Sequence, residues 1–193
     1  MSNIFEADDS STPLSEEEKP DLKQKWITTR EELNEFEAKG IFEAQVWLLT
    51  HKANILNTRF LQKLHKKMFA NVWKWAGKFR VTEKNIGIAP YLISSELKNL
   101  YDDVAYWIEN KTYKPYEIAL RFHHKLVHIH PFPNGNGRIS RIMADLIMKR
   151  LNEKEFDWGE GSLIEISKLR KNYINALRKA ASGDYSELLE FIN

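Results

Sequence analysis

Pro131 constrains this chain more than any other residue. Ahead of it, KPYEIALRFHHKLVHI sets Ala119, Phe122, Leu126 and Ile129 at the three- and four-residue intervals of a helix with one buried face. Proline has no N–H to donate and crowds the residue before it, so that helix must stop near His130. A second helical pattern, RISRIMADLIMKRL, opens at Arg138 and predicts Ile142, Met143, Leu146 and Ile147 facing inward. The chain must therefore join two helix ends through PFPNGNG, and that short loop has an unusual composition.

The rest of the sequence is also helical in pattern. ITTREELNEFEAKGIFEAQVWLL predicts a first helix with Gly40 as a break, capped by Thr28 or Thr29 because Glu31 and Glu32 follow at capping-box spacing. TRFLQKLHKKMFANVW predicts a second, with Phe60, Leu61, Leu64 and Met68 on one face. SSELKNLYDDVAYWIEN predicts another, and the C-terminal stretch predicts two short helices with Gly183 at their break. WAGKFRVTEKNIGIAPYLI differs, with glycines, a proline and β-formers around EKNIG, and reads as a turn or short hairpin. The fold expected is mainly α with one small β-hairpin. Residues 1–20 are polar and acidic and read as a flexible arm, and residues 21–193 read as a single domain with its core motif region at about 59–151.

Charge and cysteine content exclude several classes. The net charge is +2, which argues against a general nucleic-acid binder and against a membrane-surface protein. There is no cysteine, so disulfides, thiolate metal sites and a cysteine nucleophile are excluded. No apolar run is long enough for a membrane span or a signal core, and a cytoplasmic location is the expectation.

In the loop, Gly135 and Gly137 can take positive φ at no steric cost, and Asn136 tolerates it. Such a path turns successive backbone N–H groups to one side as an anion nest, and the helix that follows adds its own unpaired N–H groups. Arg138 and Arg141, one turn apart, can hold further phosphate oxygens, and His130 stands as a candidate base. Each feature alone has a plainer reading: a polar turn, a capping histidine, a solvated basic face. Their joint placement favours a phosphate site.

HPFPNGNGRISR resembles the signature of the Fic family, His-x-Phe-x-acidic-Gly-Asn-Gly-Arg-x-x-Arg, at every position but one. The resemblance extends to VWKWAGKFR and NIGI upstream and to YINALRKAASGDYSELLEFI downstream. ITTREELNEFE with HPFPNGNGR is similar to a branch called mobile mystery protein B, which implies a link to mobile bacterial elements. Family members transfer AMP from ATP to a hydroxyl of a target protein. The resemblance implies that His130 takes the proton from a Ser, Thr or Tyr hydroxyl, helped by a helix end whose dipole favours imidazolium. It implies that Asn136 and the N–H groups around Gly135 and Gly137 cradle the α- and β-phosphates. Arg138 would hold the β-phosphate, and Arg141 would reach the γ-phosphate or neutralise a neighbour. Phe132 is read as structural.

The odd position is Asn134, where the family carries the acidic ligand of a Mg²⁺ bridging the phosphates. An amide oxygen binds this hard cation more weakly than a carboxylate. The resemblance further implies that Asn85, Ile86 and Gly87 belong to a hairpin flap on which the target protein docks as an added strand. Thr28 and Glu32 fit most of an inhibitory Ser/Thr-x-x-x-Glu pattern, and a separate inhibitor protein is the alternative. Two other readings stay open: a catalytically silent nucleotide-binding module, for which Asn134 argues, and a kinase-like transferase of the Doc branch. That branch carries Lys where this chain has Gly137.

Overall fold

The computed structural model describes residues 19–27, 29–51, 54–158 and 166–191. Its helices are α1 (Arg30–Thr50), α2 (Thr58–Phe69), α3 (Ile93–Glu109), α4 (Pro115–Ile129), α5 (Asn136–Arg150), α6 (Ile166–Ala180) and α7 (Ser186–Phe191). Short 3-10 turns lie at Lys19–Asp21 and Pro90–Leu92. The chain groups into two compact units. The first runs to Thr82 and also takes Phe132–Gly135; the second holds Glu83–Pro131 and the chain from Asn136 on.

In the first unit, α1 packs on α2. Thr29 caps α1: its hydroxyl accepts from Glu32 N at 3.2 Å, and Glu32 Oε2 accepts from Thr29 N at 3.1 Å. This reciprocal pair satisfies two N–H groups that a helix start leaves open. The expected break at Gly40 does not occur, and α1 runs straight through it. A Cβ on Gly40 would lie 2.3 Å from the Met68 carbonyl oxygen, so this glycine allows α1 to approach α2 closely. Asn57 caps α2 by accepting from Arg59 N and Phe60 N, and Phe60, Leu61, Leu64 and Met68 are buried as their spacing predicts. The Trp73 indole donates to the buried Glu37 carboxylate at 2.6 Å.

In the second unit, α4 packs on both α3 and α5, and α6 packs on α7. Leu120 joins Ala176, Ala180 and Leu188 in one apolar cluster. Gly183, at φ +92°, turns the chain between α6 and α7, as the sequence predicts. Helix α5 begins two residues earlier than expected, and its buried stripe is Ile139, Met143, Ala144, Ile147 and Met148. Ile142 and Leu146, expected inside, are only half-buried. Adjacent apolar pairs such as Ile142–Met143 leave the buried face ambiguous until a neighbouring helix selects it.

No β-hairpin forms among the described residues. An isolated bridge pairs Leu22 with Trp73, and residues 81–89 form only bends and coil. The β-formers there do not bury: Val81 is 87% and Ile86 52% exposed. A two-stranded ribbon without a buried face is at best marginal in water. No described helix is long and apolar enough to cross a membrane.

Candidate functional site

His130 follows the last turn of α4 in a left-handed conformation, φ 52° and ψ 59°, while its backbone N–H still bonds Leu126 O at 3.2 Å. This conformation costs a non-glycine residue about 1–2 kcal/mol. The side chain is buried, and Pro131 carries the chain onward away from the helix. Strain of this kind persists only where the surroundings over-determine it, and it concentrates at functional sites.

Phe132 is fully buried, so its structural reading holds. Its ring stacks on the His65 ring at 3.7 Å and 8° and meets Phe79 at 5.4 Å. Asn134 is half-buried. Its backbone carbonyl lies 3.1 Å from His65 Nε2, and its side-chain Oδ1 accepts from Gly135 N at 2.6 Å. Gly135 takes φ +77°, and a Cβ there would lie 2.6 Å from the Phe69 ring. Both its conformation and its packing demand glycine.

Gly137 does not behave as expected. It lies inside α5 without positive φ, and a Cβ there would meet no atom within 4 Å. The left-handed positions of the loop are therefore His130 and Gly135, because Asn136 and Gly137 already belong to the helix. Asn136 is buried and its carbonyl accepts from Ser140 Oγ at 2.6 Å. The first N–H groups of α5 thus follow directly on the turn at Gly135, where a helix start leaves donors without intrahelical partners. Arg138 and Arg141 are half-buried on this helix.

Arg141 also acts electrostatically on two titratable groups, Asp145 and His123. Burial, with a smaller effect from Glu155, raises the Asp145 carboxyl to about 6, against the lowering effects of Trp158, Phe156 and Arg141. The Trp158 indole N–H donates to both Asp145 oxygens at 3.0 Å, and Phe156 N donates at 3.2 Å. Burial, with smaller effects from Arg141 and His124, pushes His123 down to about 3, so its ring is neutral. Its Nε2 pairs with the Tyr173 hydroxyl at 2.6 Å.

Asn85, Ile86 and Gly87 form an exposed bend. Thr28 lies outside the described residues, while Glu32 serves the α1 cap with Thr29. The sequence reading missed His65, Asp145 and His123. The signal for His65 was a polar residue on the apolar stripe of α2, between Leu64 and Met68. For Asp145 it was the four-residue interval from Arg141, which brings two side chains of a helix together.

The donor set does not fit a Mg²⁺ held by the protein. No group of three or more His, Cys, Asp or Glu gathers among the described residues, and the Asn134 side-chain oxygen is turned onto the next peptide N–H.

Residues 55–148 match the Fic/DOC family. This segment is a Fic/DOC family domain, and the chain is a distant relative of the protein adenylyltransferases Fic. It is 28% identical over 153 residues to protein adenylyltransferase fic-1 of Caenorhabditis elegans, covering 75% of this chain and 28% of that protein. It is 27% identical over 148 residues to protein adenylyltransferase Fic of Aedes aegypti, with the same shares covered. The chain thus spans little more than a quarter of the length of these relatives. The fold matches the solved structure of C. elegans Fic-1 with a TM-score of 0.67 at 24% identity, covering 88% of this chain and 49% of that one. BepC of Bartonella tribocorum, solved with bound AMPPNP, matches with a TM-score of 0.66 at 16% identity over 97% of this chain and 93% of its own. The architecture is a mainly α Fic fold.

Proposed function

We propose that this protein transfers AMP from ATP to a Ser, Thr or Tyr hydroxyl of a protein target. The observation that carries this reading is the pairing, in one short stretch, of a strained buried histidine and a helix start that holds an unpacked glycine. His130 bends back left-handed at the end of α4, and α5 starts at Asn136 with a glycine, Gly137, that no protein packing requires. A glycine in open space leaves room for a ligand to approach the backbone. The relatives named as adenylyltransferases support the same chemistry.

In this reading, the N–H groups at the start of α5, with Gly135 and Asn136, cradle the α- and β-phosphates. Arg138 holds the β-phosphate and Arg141 reaches the γ-phosphate. His130 takes the proton of the target hydroxyl, whose oxygen attacks the α-phosphorus. The bond from that phosphorus to the oxygen bridging to the β-phosphate breaks, and pyrophosphate leaves. Positioning and charge stabilisation supply most of the acceleration. ATP, with whatever Mg²⁺ it carries, is a substrate here, and no step depends on a metal held by Asn134. The bend Asn85–Ile86–Gly87 is the proposed docking place of the target, its open backbone pairing with an added strand. Control by Thr28 and Glu32, or by a separate inhibitor protein, and kinship with mobile mystery protein B belong to the same proposal.

A silent nucleotide-binding module is the second reading, favoured by Asn134 in place of an acid. Incubation with ATP labelled at the α- or the γ-phosphate separates the two. Incorporation of the α-label, lost by a factor of about 10²–10⁴ in His130→Ala while ATP binding persists, is the expected result. Label from the γ-phosphate indicates a kinase, and binding without incorporation indicates the silent module.

A further inference from the structure

His65 is fully buried among Phe69, Trp75 and Phe132, a place where a phenylalanine would bury more apolar surface. Both of its ring nitrogens face backbone groups. Nδ1 accepts from Gly77 N at 2.9 Å, so Nδ1 carries no proton. A neutral imidazole then has its proton on Nε2, which donates to the Asn134 carbonyl at 3.1 Å. One tautomer satisfies both bonds. Gly77, at φ +81°, belongs to the chain after α2, and Asn134 belongs to the signature loop. A single ring therefore ties one irregular segment to another.

We propose that His65 is a positioning residue for the signature loop. Its Nε2–H holds the Asn134 carbonyl, its face holds Phe132, and together they set the backbone of Phe132–Gly135. Gly135 completes the contact, since a Cβ there would also lie 3.4 Å from His65 Nε2. The ring is fully buried, and acts through the main chain that would bind nucleotide and target. For its effect on chemistry, the inference rests on the transferase reading above; for the loop itself, it does not.

Three substitutions separate positioning from core filling. His65→Gln can place an amide N–H near the Nε2 position and keep the bond to Asn134. His65→Asn can place an oxygen near the Nδ1 position and keep only the bond from Gly77. His65→Phe keeps the ring stack and loses both bonds. Amide hydrogen exchange from Phe132 to Gly137 should quicken by about tenfold or more in the Asn and Phe variants and stay near wild type in the Gln variant. AMP-transfer kcat should follow the same order, with losses of about ten- to hundredfold for Asn and Phe and recovery with Gln.

Equal exchange in all four proteins, with only the melting temperature lowered, makes His65 a core residue and overturns the proposal. Quickened exchange with unchanged kcat overturns its link to the chemistry. A wild type that shows the expected exchange pattern but transfers no label refutes the transferase reading and leaves the positioning role standing. Should the variants fail to fold, ¹⁵N-histidine spectra of the wild type decide. The proton must sit on Nε2 of His65, and the other tautomer or a doubly protonated ring refutes the arrangement.

Discussion

Phe132–Gly135 and the exposed bend at Asn85–Gly87 are both irregular, both glycine-bearing and both named by the same family resemblance. They differ in what surrounds them. The first has Phe132 in the core, its Asn134 carbonyl on His65, and Gly135 against the Phe69 ring. The second turns Ile86 to solvent and pairs with no strand. Residues 153–158 make a third case. They have no regular structure either, but Phe156 and Trp158 are tied to a carboxylate, Asp145. An irregular segment can therefore be held by stacked buried rings and a backbone hydrogen bond, or by a carboxylate, or left open for a partner to order. The first suits a site that must be pre-formed, and the last suits a surface that takes its shape on binding.

The strongest test sets Gly135 against Gly137. Gly135→Ala combines a left-handed alanine with overpacking against Phe69 and should destabilise the protein by about 2–5 kcal/mol. Gly137→Ala meets no atom within 4 Å and lies in a helix, so it should leave stability unchanged or raise it by up to about 1 kcal/mol. It should nonetheless weaken binding of an ATP analogue by roughly tenfold, near 1.4 kcal/mol, by crowding the ligand. Thermal melts beside a binding isotherm check both. Equal melting losses, or unchanged nucleotide affinity in Gly137→Ala, would erase the distinction between a glycine required by packing and one kept open for a ligand.

A smaller effect separates packing from ionic holding. Asp145 titrates near 6 in the folded chain against 3.8 unfolded, so between those values folding takes up a proton and stability rises as pH falls. His123 titrates near 3 folded against 6.5 unfolded, so its contribution is lost as pH falls below 6.5. His124, also lowered chiefly by burial, acts with the same sign as His123. The two effects oppose each other between about pH 6 and 4. Asp145→Asn removes the compensating one, and its melting temperature should drop more steeply over that range, by roughly 2–4 °C more than wild type. Parallel curves would mean that the Asp145 carboxyl titrates as it does in the unfolded chain.

The smallest stability effect belongs to the open bend. Ile86→Ala should stay within about 0.5 kcal/mol of wild type, because an exposed side chain loses little on truncation. Labelling of a protein target should fall severalfold, while self-labelling is kept. A melting loss comparable to that of Gly135→Ala would place Ile86 in a packed environment and end the contrast.

The helices and the start of the signature loop were legible in the sequence because their causes are local, whereas α5 begins two residues before the sequence pattern placed it. Apolar spacing marks a buried stripe, Pro131 stops α4, Thr29 with Glu32 starts α1, and the turn at Gly183 needs a residue free to take positive φ. The family signature carried the candidate chemistry for the same reason, since its residues follow one another in a short stretch. What the sequence left undecided depended on distant atoms. Gly40 is a contact with Met68 rather than a break, and only the approach of α2 makes it so. Gly135 and Gly137 look alike as letters, yet the Phe69 ring lies beside one and nothing lies beside the other. VTEKNIGI has the composition of a hairpin, but a strand pair needs a face to bury, and Val81 and Ile86 find none. His65 reads as a polar residue on an apolar stripe until Gly77 and Asn134 arrive at its two nitrogens from separate segments. Periodicity and stop signals act within a turn or two of chain, whereas these contacts exist only after the chain has closed on itself, so only the tertiary structure could decide them.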